Sequence, residues 1–116
     1  METEFRVRVH HQGRAAVLVL IGELDLASHR SLEQAIDLAL ELDPQLVVLD
    51  LEQLEFMDVA GLRSVLRSDE RLRAAGKRLV LAAPPPVVRR LLTLTRQEQA
   101  IEARGSVAEV LEPDLR

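Results

Sequence analysis

Cysteine, tryptophan and tyrosine are all absent from this 116-residue chain, and phenylalanine occurs only twice. Without cysteine there is no disulfide, no thiolate metal site and no cysteine nucleophile. Two aromatic rings leave almost nothing on which to stack bases. The formal charge of −4, from 15 basic and 19 acidic residues, argues further against general nucleic-acid binding. Long hydrophobic runs are also missing. The longest, residues 15–21, falls far short of the roughly 20 residues a membrane span needs. The opening METEFRVRVH is strand-like and has no signal-peptide core. A cytoplasmic protein without membrane insertion is therefore expected. There is no glycine-rich phosphate loop, no GxSxG, and no serine with a recognisable histidine–acid pair. No catalytic residue and no cofactor are expected, and the chain does not read as an enzyme.

What is present is an ordinary globular composition, 47% apolar and 29% charged. It suffices for one domain over residues 1–116 with a single core. The organising stretch is residues 46–66, LVVLDLEQLEFMDVAGLRSVL. Residues 46–51 are a nearly continuous apolar run with two valines, the pattern of a strand covered on both faces. Gln53 and Glu55 then dilute the run, giving a short acidic connection through Phe56 and Met57. Asp58 stands where a helix can start, and its carboxylate can accept from the free N–H groups of the first turn. Leu62, Val65 and Leu66 continue at helical spacing. Asp58, Val59, Ala60 and Gly61 are thus expected at an exposed helix N-terminus.

Around this stretch the chain reads as alternating strands and helices. Phe5, Val7 and Val9 alternate with polar residues, as in a half-exposed strand. His11-Gln12-Gly13-Arg14 is a hairpin connection. Residues 15–22 form a more interior strand, closed by Gly22-Glu23-Leu24-Asp25. Ser28, or Ser31 with Gln34, can begin a helix whose inward stripe is Leu32, Ala35, Ile36, Ala39 and Leu42. Asp43-Pro44 stops it. A second helix is expected over residues 59–75, with Gly76 just past its end. A strand over 78–83 follows, then a helix entered through Pro84-Pro85-Pro86 with Val87, Val88, Leu91 and Leu92 buried. A short edge strand at 101–103 and a last helix capped by Ser106 and Glu109, ended by Pro113, complete the order. The expectation is an α/β domain: a mixed four- to five-stranded sheet with about four helices.

Two pieces of this chain carry a resemblance. FMDVAGL after an apolar strand resembles the signature loop of the STAS domain, found in anti-sigma-factor antagonists. GELD after the second strand is similar to the segment in which that family places an acidic residue near the loop, here Asp25. The element order is also that of STAS domains, so the resemblance spans nearly the whole chain. In the family an Asp is followed by a phosphorylated Ser or Thr, a small residue, Gly and Leu. Asp58, Gly61 and Leu62 match. The hydroxyl position is Val59, followed by Ala60, and neither can accept a phosphoryl group.

The resemblance implies a partner-binding surface of Asp25, Asp58, Val59, Ala60, Gly61, Leu62 and Arg63. It implies an anti-sigma factor with a serine-kinase ATPase fold as partner, bound without a phosphorylation switch at Val59. The alternative partners are a transporter ATPase or a stressosome-like STAS scaffold. The sequence leaves a homodimer open.

Other groupings of charged residues admit other chemistry. Asp25, Asp50 and Asp58 fall near strand ends, as in a Mg²⁺-assisted phosphoacceptor site. The only lysine, Lys77, precedes a strand and so sits at the wrong sheet end for that chemistry. Asp50, within a buried run, reads as a hydrogen-bonded structural group. No metal is expected. His10 and His11 are adjacent on a strand and point to opposite faces; with His29 they read as surface residues. Arg63, Arg67 and Arg71 recur every fourth residue, either as a solvated face or as part of an interface. Arg89 and Arg90 carry the same two readings. Gly61 is costly inside a helix, so either the loop conformation or a closely approaching neighbour must require it.

Overall fold

The computed structural model describes residues 4–112. Strand β1 (Arg6–Gln12) turns at Gly13-Arg14 into β2 (Ala15–Leu24). Helix α1 (His29–Leu40), β3 (Leu46–Asp50), β4 (Leu54–Met57) and α2 (Val59–Ala74) follow. The chain ends with β5 (Arg78–Ala82), α3 (Pro86–Leu94), β6 (Glu102–Arg104) and α4 (Val107–Leu111). The sheet is mixed, in the order β1-β2-β3-β5-β6. Its first pair is antiparallel and the others are parallel, and β4 pairs with the end of β2. The expected α/β architecture with four helices is what forms. The sheet has six strands because residues 54–57, read from sequence as a connection, pair with Gly22–Leu24.

The central strands are apolar on both sides because both sides are covered. Ala16, Leu18 and Leu20 of β2 join Val47, Leu49, Leu79 and Leu81 under α1, α2 and α3. Val17 and Val19 face the other way with Val48, Val80 and Ala82, beneath Val110 of α4. Helix α1 contributes Leu32, Ile36 and Ala39, and α2 contributes Leu62, Val65 and Leu72. Each fully buried Leu or Val stabilises the fold by about 1.5–3 kcal/mol relative to exposure. Leu66, which continues the helical spacing of Leu62 and Val65, is half-buried and packs against this core.

Several ends differ from the sequence expectation. Helix α1 stops at Leu40, before Asp43 takes a left-handed φ of 52° ahead of Pro44. Leu42 therefore misses the helical stripe and is 69% exposed. Ser28 precedes α1, but its hydroxyl makes no cap hydrogen bond. It donates instead to the Glu23 carbonyl at 2.7 Å and accepts from the Asp25 N–H at 2.9 Å. Pro85 is the N-cap of α3 and Pro86 its first residue. The edge strand is shifted one residue, to Glu102–Arg104. Ser106 accepts from the Glu109 N–H, while Glu109 reaches back to the Gly105 N–H. Pro113 lies outside the described residues. Gly76, at φ 76°, ends α2 in the left-handed conformation its position called for.

Lys77 immediately precedes β5, where it pairs with Asp43 and donates to the Pro44 carbonyl. Asp50 accepts from the Glu52 N–H at 3.1 Å, within its own turn. Among the described residues no helix is long and apolar enough to cross a membrane, and no group of three His, Asp or Glu is placed to hold a metal ion.

Candidate functional site: the tip at the start of the second long helix

Two chain segments meet at the carboxyl ends of the central strands. One is the turn from β2 into α1, and the other is β4 running into α2. Asp58 joins them. As N-cap of α2 it adopts extended backbone, and its Oδ1 accepts from the Gly61 N–H at 2.8 Å. Its Oδ2 accepts a longer bond, 3.4 Å, from the Leu26 N–H across the gap. The Asp58 N–H donates to the Leu24 carbonyl at 3.2 Å. One residue thus satisfies the helix terminus and ties it to the facing turn.

Gly61 explains how the two segments come so close. A Cβ built on it would lie 2.3 Å from the Leu24 carbonyl oxygen and 2.9 Å from the Leu24 carbonyl carbon. Of the two reasons for a glycine here, the approach of a neighbour is the one that operates. Gly22, at φ 100°, sits where the β2–β4 register shifts. That bulge lets the end of β2 bend toward β4.

Asp25 is engaged within its own turn. Its Oδ1 accepts from the N–H groups of Ala27 and Ser28, at 3.0 and 3.1 Å. This Asx turn holds the β2–α1 connection in shape. The candidate residues therefore divide by position. Asp25, Asp58 and Ala60 are half-buried, Gly61 and Leu62 are buried, and Val59 and Arg63 are exposed. Gly61 and Leu62 can hold the tip but present little surface of their own.

Exposed apolar groups complete the tip. Val59 is 45% exposed, and two residues not singled out in the sequence join it: Leu26 at 73% and Phe56 at 42%. Leu26 is held by Asp58, and Phe56 lies opposite Glu23 in the β2–β4 ladder. The same two segments also contribute Glu23, Asp25, Glu55 and Asp58. Between Gly22 and Asp58, Arg30 is the only lysine or arginine. An open cavity of about 480 Å³, lined by Gly13, Arg14, Leu46, Arg78 and Leu111 among others, lies at the opposite sheet end, where the parallel strands begin.

Behind the tip, α1 and α2 are bound by a polar hub with no signature in local sequence. Glu33 Oε2 accepts from Ser64 Oγ at 2.8 Å and from Arg67 at 3.2 Å, and it lies 3.1 Å from His29 Nδ1. Ser64 is fully buried. One turn on, Arg71 pairs with Asp37. Arg67 and Arg71 are thus engaged between the helices, whereas Arg63 lies exposed beside the tip. The Ser64 hydroxyl chiefly, with His29 and then Arg67, brings the Glu33 carboxyl down to about 2 from an ordinary 4.5. A lowered carboxyl pKa adds stability above the ordinary value, lost as pH falls toward the folded value. Glu33 is over a third exposed, so screening reduces the effect. Glu33→Gln should cost about 1 kcal/mol at neutral pH. Urea unfolding should show that deficit shrinking between pH 4.5 and about 2.

Asp69 behaves oppositely. It is 4% exposed, and burial pushes its carboxyl up despite Arg73, which pairs with it and also donates to the Ala100 carbonyl.

Comparison with known proteins agrees with this fold. The structure is similar to an anti-sigma factor antagonist from Mycobacterium paratuberculosis, with a TM-score of 0.86 and 23% identity over 100% of both chains. It is similar to the anti-sigma factor antagonist SpoIIAA in its unphosphorylated form, with a TM-score of 0.75 and 23% identity over 95% of each chain. A sulfate transporter family protein from Wolinella succinogenes matches at a TM-score of 0.76 and 14% identity, covering 88% of this chain and 85% of that one. These likenesses show a shared fold. The family model described as Mlab, STAS domain matches residues 7–107. With that match covering most of its length, the chain belongs to the STAS domain family.

Proposed function

We propose that this chain is a protein-interaction module of the anti-sigma-factor-antagonist type. It binds, in the cytoplasm, an anti-sigma factor with a serine-kinase ATPase fold and so releases a sigma factor. The contact surface is the tip of Leu26, Phe56, Val59, Ala60 and Arg63, shaped by Asp25, Asp58 and Gly61. The observation that carries this reading is the placement of Val59. It is the first residue of α2, follows the capping Asp58, and is 45% exposed. Aliphatic side chains at such a site are suited to burial by another macromolecule.

Val59 also sets the mode of control. A phosphoryl group adds about −1.5 to −2 charges, and beside Asp58 it would repel and resist desolvation. No hydroxyl is present at residues 58–61 to take it. Ser64 and Ser68 are buried in the helix and are poor substitutes. Binding is therefore constitutive at this position. Incubation with the captured kinase and ATP should leave residues 58–61 unmodified by intact mass and peptide mapping. Val59→Ser should gain one phosphate there, and failure of Val59→Ser to be modified by a kinase that binds it would count against the reading.

A second reading keeps the tip but changes the partner to a transporter ATPase or a STAS scaffold. The missing hydroxyl favours it, because such docking needs no acceptor. Pull-down from the native host with mass-spectrometric identification separates the two. Recovery of a transporter ATPase in place of an anti-sigma factor would select the second.

A further inference from the structure

The ladder between β2 and β4 ends at Leu24 and Met57, so Leu26 and Val59 lie beyond it on separate segments. Something else must set the gap between them. The Asp58 bond to the Leu26 N–H is one link, but at 3.4 Å and exposed it is weak. The first segment is stiff in itself. Asp25 Oδ1 accepts from the Ala27 and Ser28 N–H groups, and Ser28 Oγ donates to the Glu23 carbonyl. The His29 N–H donates to the Asp25 carbonyl at 2.9 Å. The turn therefore moves with the start of α1, and whatever fixes that end of the helix also fixes Leu26.

The polar hub is placed to do this. Glu33 lies one turn past His29 in α1, and Ser64 one turn past Ala60 in α2. Ser64 Oγ donates to Glu33 Oε2 at 2.8 Å and lies 3.5 Å from the His29 carbonyl, against the beginning of α1. The donor is fully buried and the acceptor is a carboxylate, which puts the bond in the stronger, charge-assisted class. It is also directional, whereas apolar contact is not. The bond forms at one spacing of the two helices and is lost when they slide.

We propose that Glu33 and Ser64 are positioning residues for the docking tip: their bond fixes α1 against α2 and so sets the spacing of Leu26 and Val59. This role rests on the tip as the docking surface, as proposed above, and adds what keeps that surface in one shape. A surface held ready loses less freedom on docking and binds more tightly. Ser64, being buried, acts without touching the partner.

Amide exchange, read residue by residue on the protein alone, tests this. Ser64→Ala should speed exchange about fivefold at the Leu26 and Asp58 N–H groups, which both bond across the gap. Glu33→Ala should do the same, and the double variant should add little to either. Ser64→Thr keeps the hydroxyl and should restore the parent rates. Affinity for the partner recovered from the host should fall by a similar factor in the first two variants and recover in Ser64→Thr. If the hub serves stability alone, the pattern reverses: exchange quickens at Leu18 and Val48 in the core, with Leu26 and Asp58 unchanged. That pattern overturns the proposal, and so does Ser64→Thr behaving as Ser64→Ala does. Parent affinity in a variant whose tip amides exchange faster overturns it as well. The exchange rates need no partner, so a tip that docks nothing would refute the proposed function while the positioning of Leu26 is still decided.

Discussion

Replacing Gly61 with alanine is expected to cost about 2 kcal/mol or more, despite a gain in helix propensity of about 1 kcal/mol. The added methyl would meet the Leu24 carbonyl oxygen at 2.3 Å, far inside van der Waals contact. The obstacle is backbone, which cannot swing aside as a side chain can. Helix α2 must lift away from the end of β2. That strains the Asp58 N–H bond to the same carbonyl and the Asp58 link to Leu26. In a chain of this size the loss corresponds to a fall in melting temperature of roughly 8 °C or more. Gly76→Ala is the internal comparison. Nothing lies within 4 Å of its built Cβ, and only its φ of 76° is unfavourable, so the cost should be about 1–2 kcal/mol. Chemical denaturation of the two variants decides the matter. If Gly61→Ala is as stable as the parent, the close approach does not constrain the tip.

That crowding was half legible in sequence. A glycine inside a helical pattern announces that something requires it, but not which atoms do. The fold itself was legible because its strongest signals are local. The apolar run through Val47–Leu49, the helical stripe of Leu62, Val65 and Leu72, and the Asp58 cap each rest on a few neighbouring residues. Strand β4 was not. It is four residues long, with Glu55 and Phe56 exposed at its centre, so it shows neither alternation nor a buried run. Its pairing depends on the bulge at Gly22, distant in sequence. Leu42 failed for the opposite reason. Its spacing suits a helix, but proline chemistry at Asp43-Pro44 ends the helix first. The Glu33 hub joins residues more than thirty positions apart, and only the packing of α1 on α2 brings them together. Leu26 likewise reads as any apolar residue in a turn until Asp58 is seen to hold it at the surface.

Under the proposed function, most of the weight falls on one side chain, Val59. Val59→Asp is expected to weaken partner binding about hundredfold or more while leaving the fold nearly unchanged. A carboxylate at the first position of a helix is favourable to the helix dipole, so α2 should form as before. The penalty falls on the complex. A second carboxylate beside Asp58 would have to lose its water in an interface built around Val59, Leu26 and Phe56. Like charges at that separation make desolvation costlier still. Val59→Ile, which keeps the surface aliphatic and neutral, should bind within a few-fold of the parent. Calorimetric titration against the partner recovered from the host provides the measurement, with denaturation to confirm that stability is retained. Val59→Asp binding as tightly as the parent would remove the tip from the interface, because no group that dehydrates at position 59 could tolerate the change.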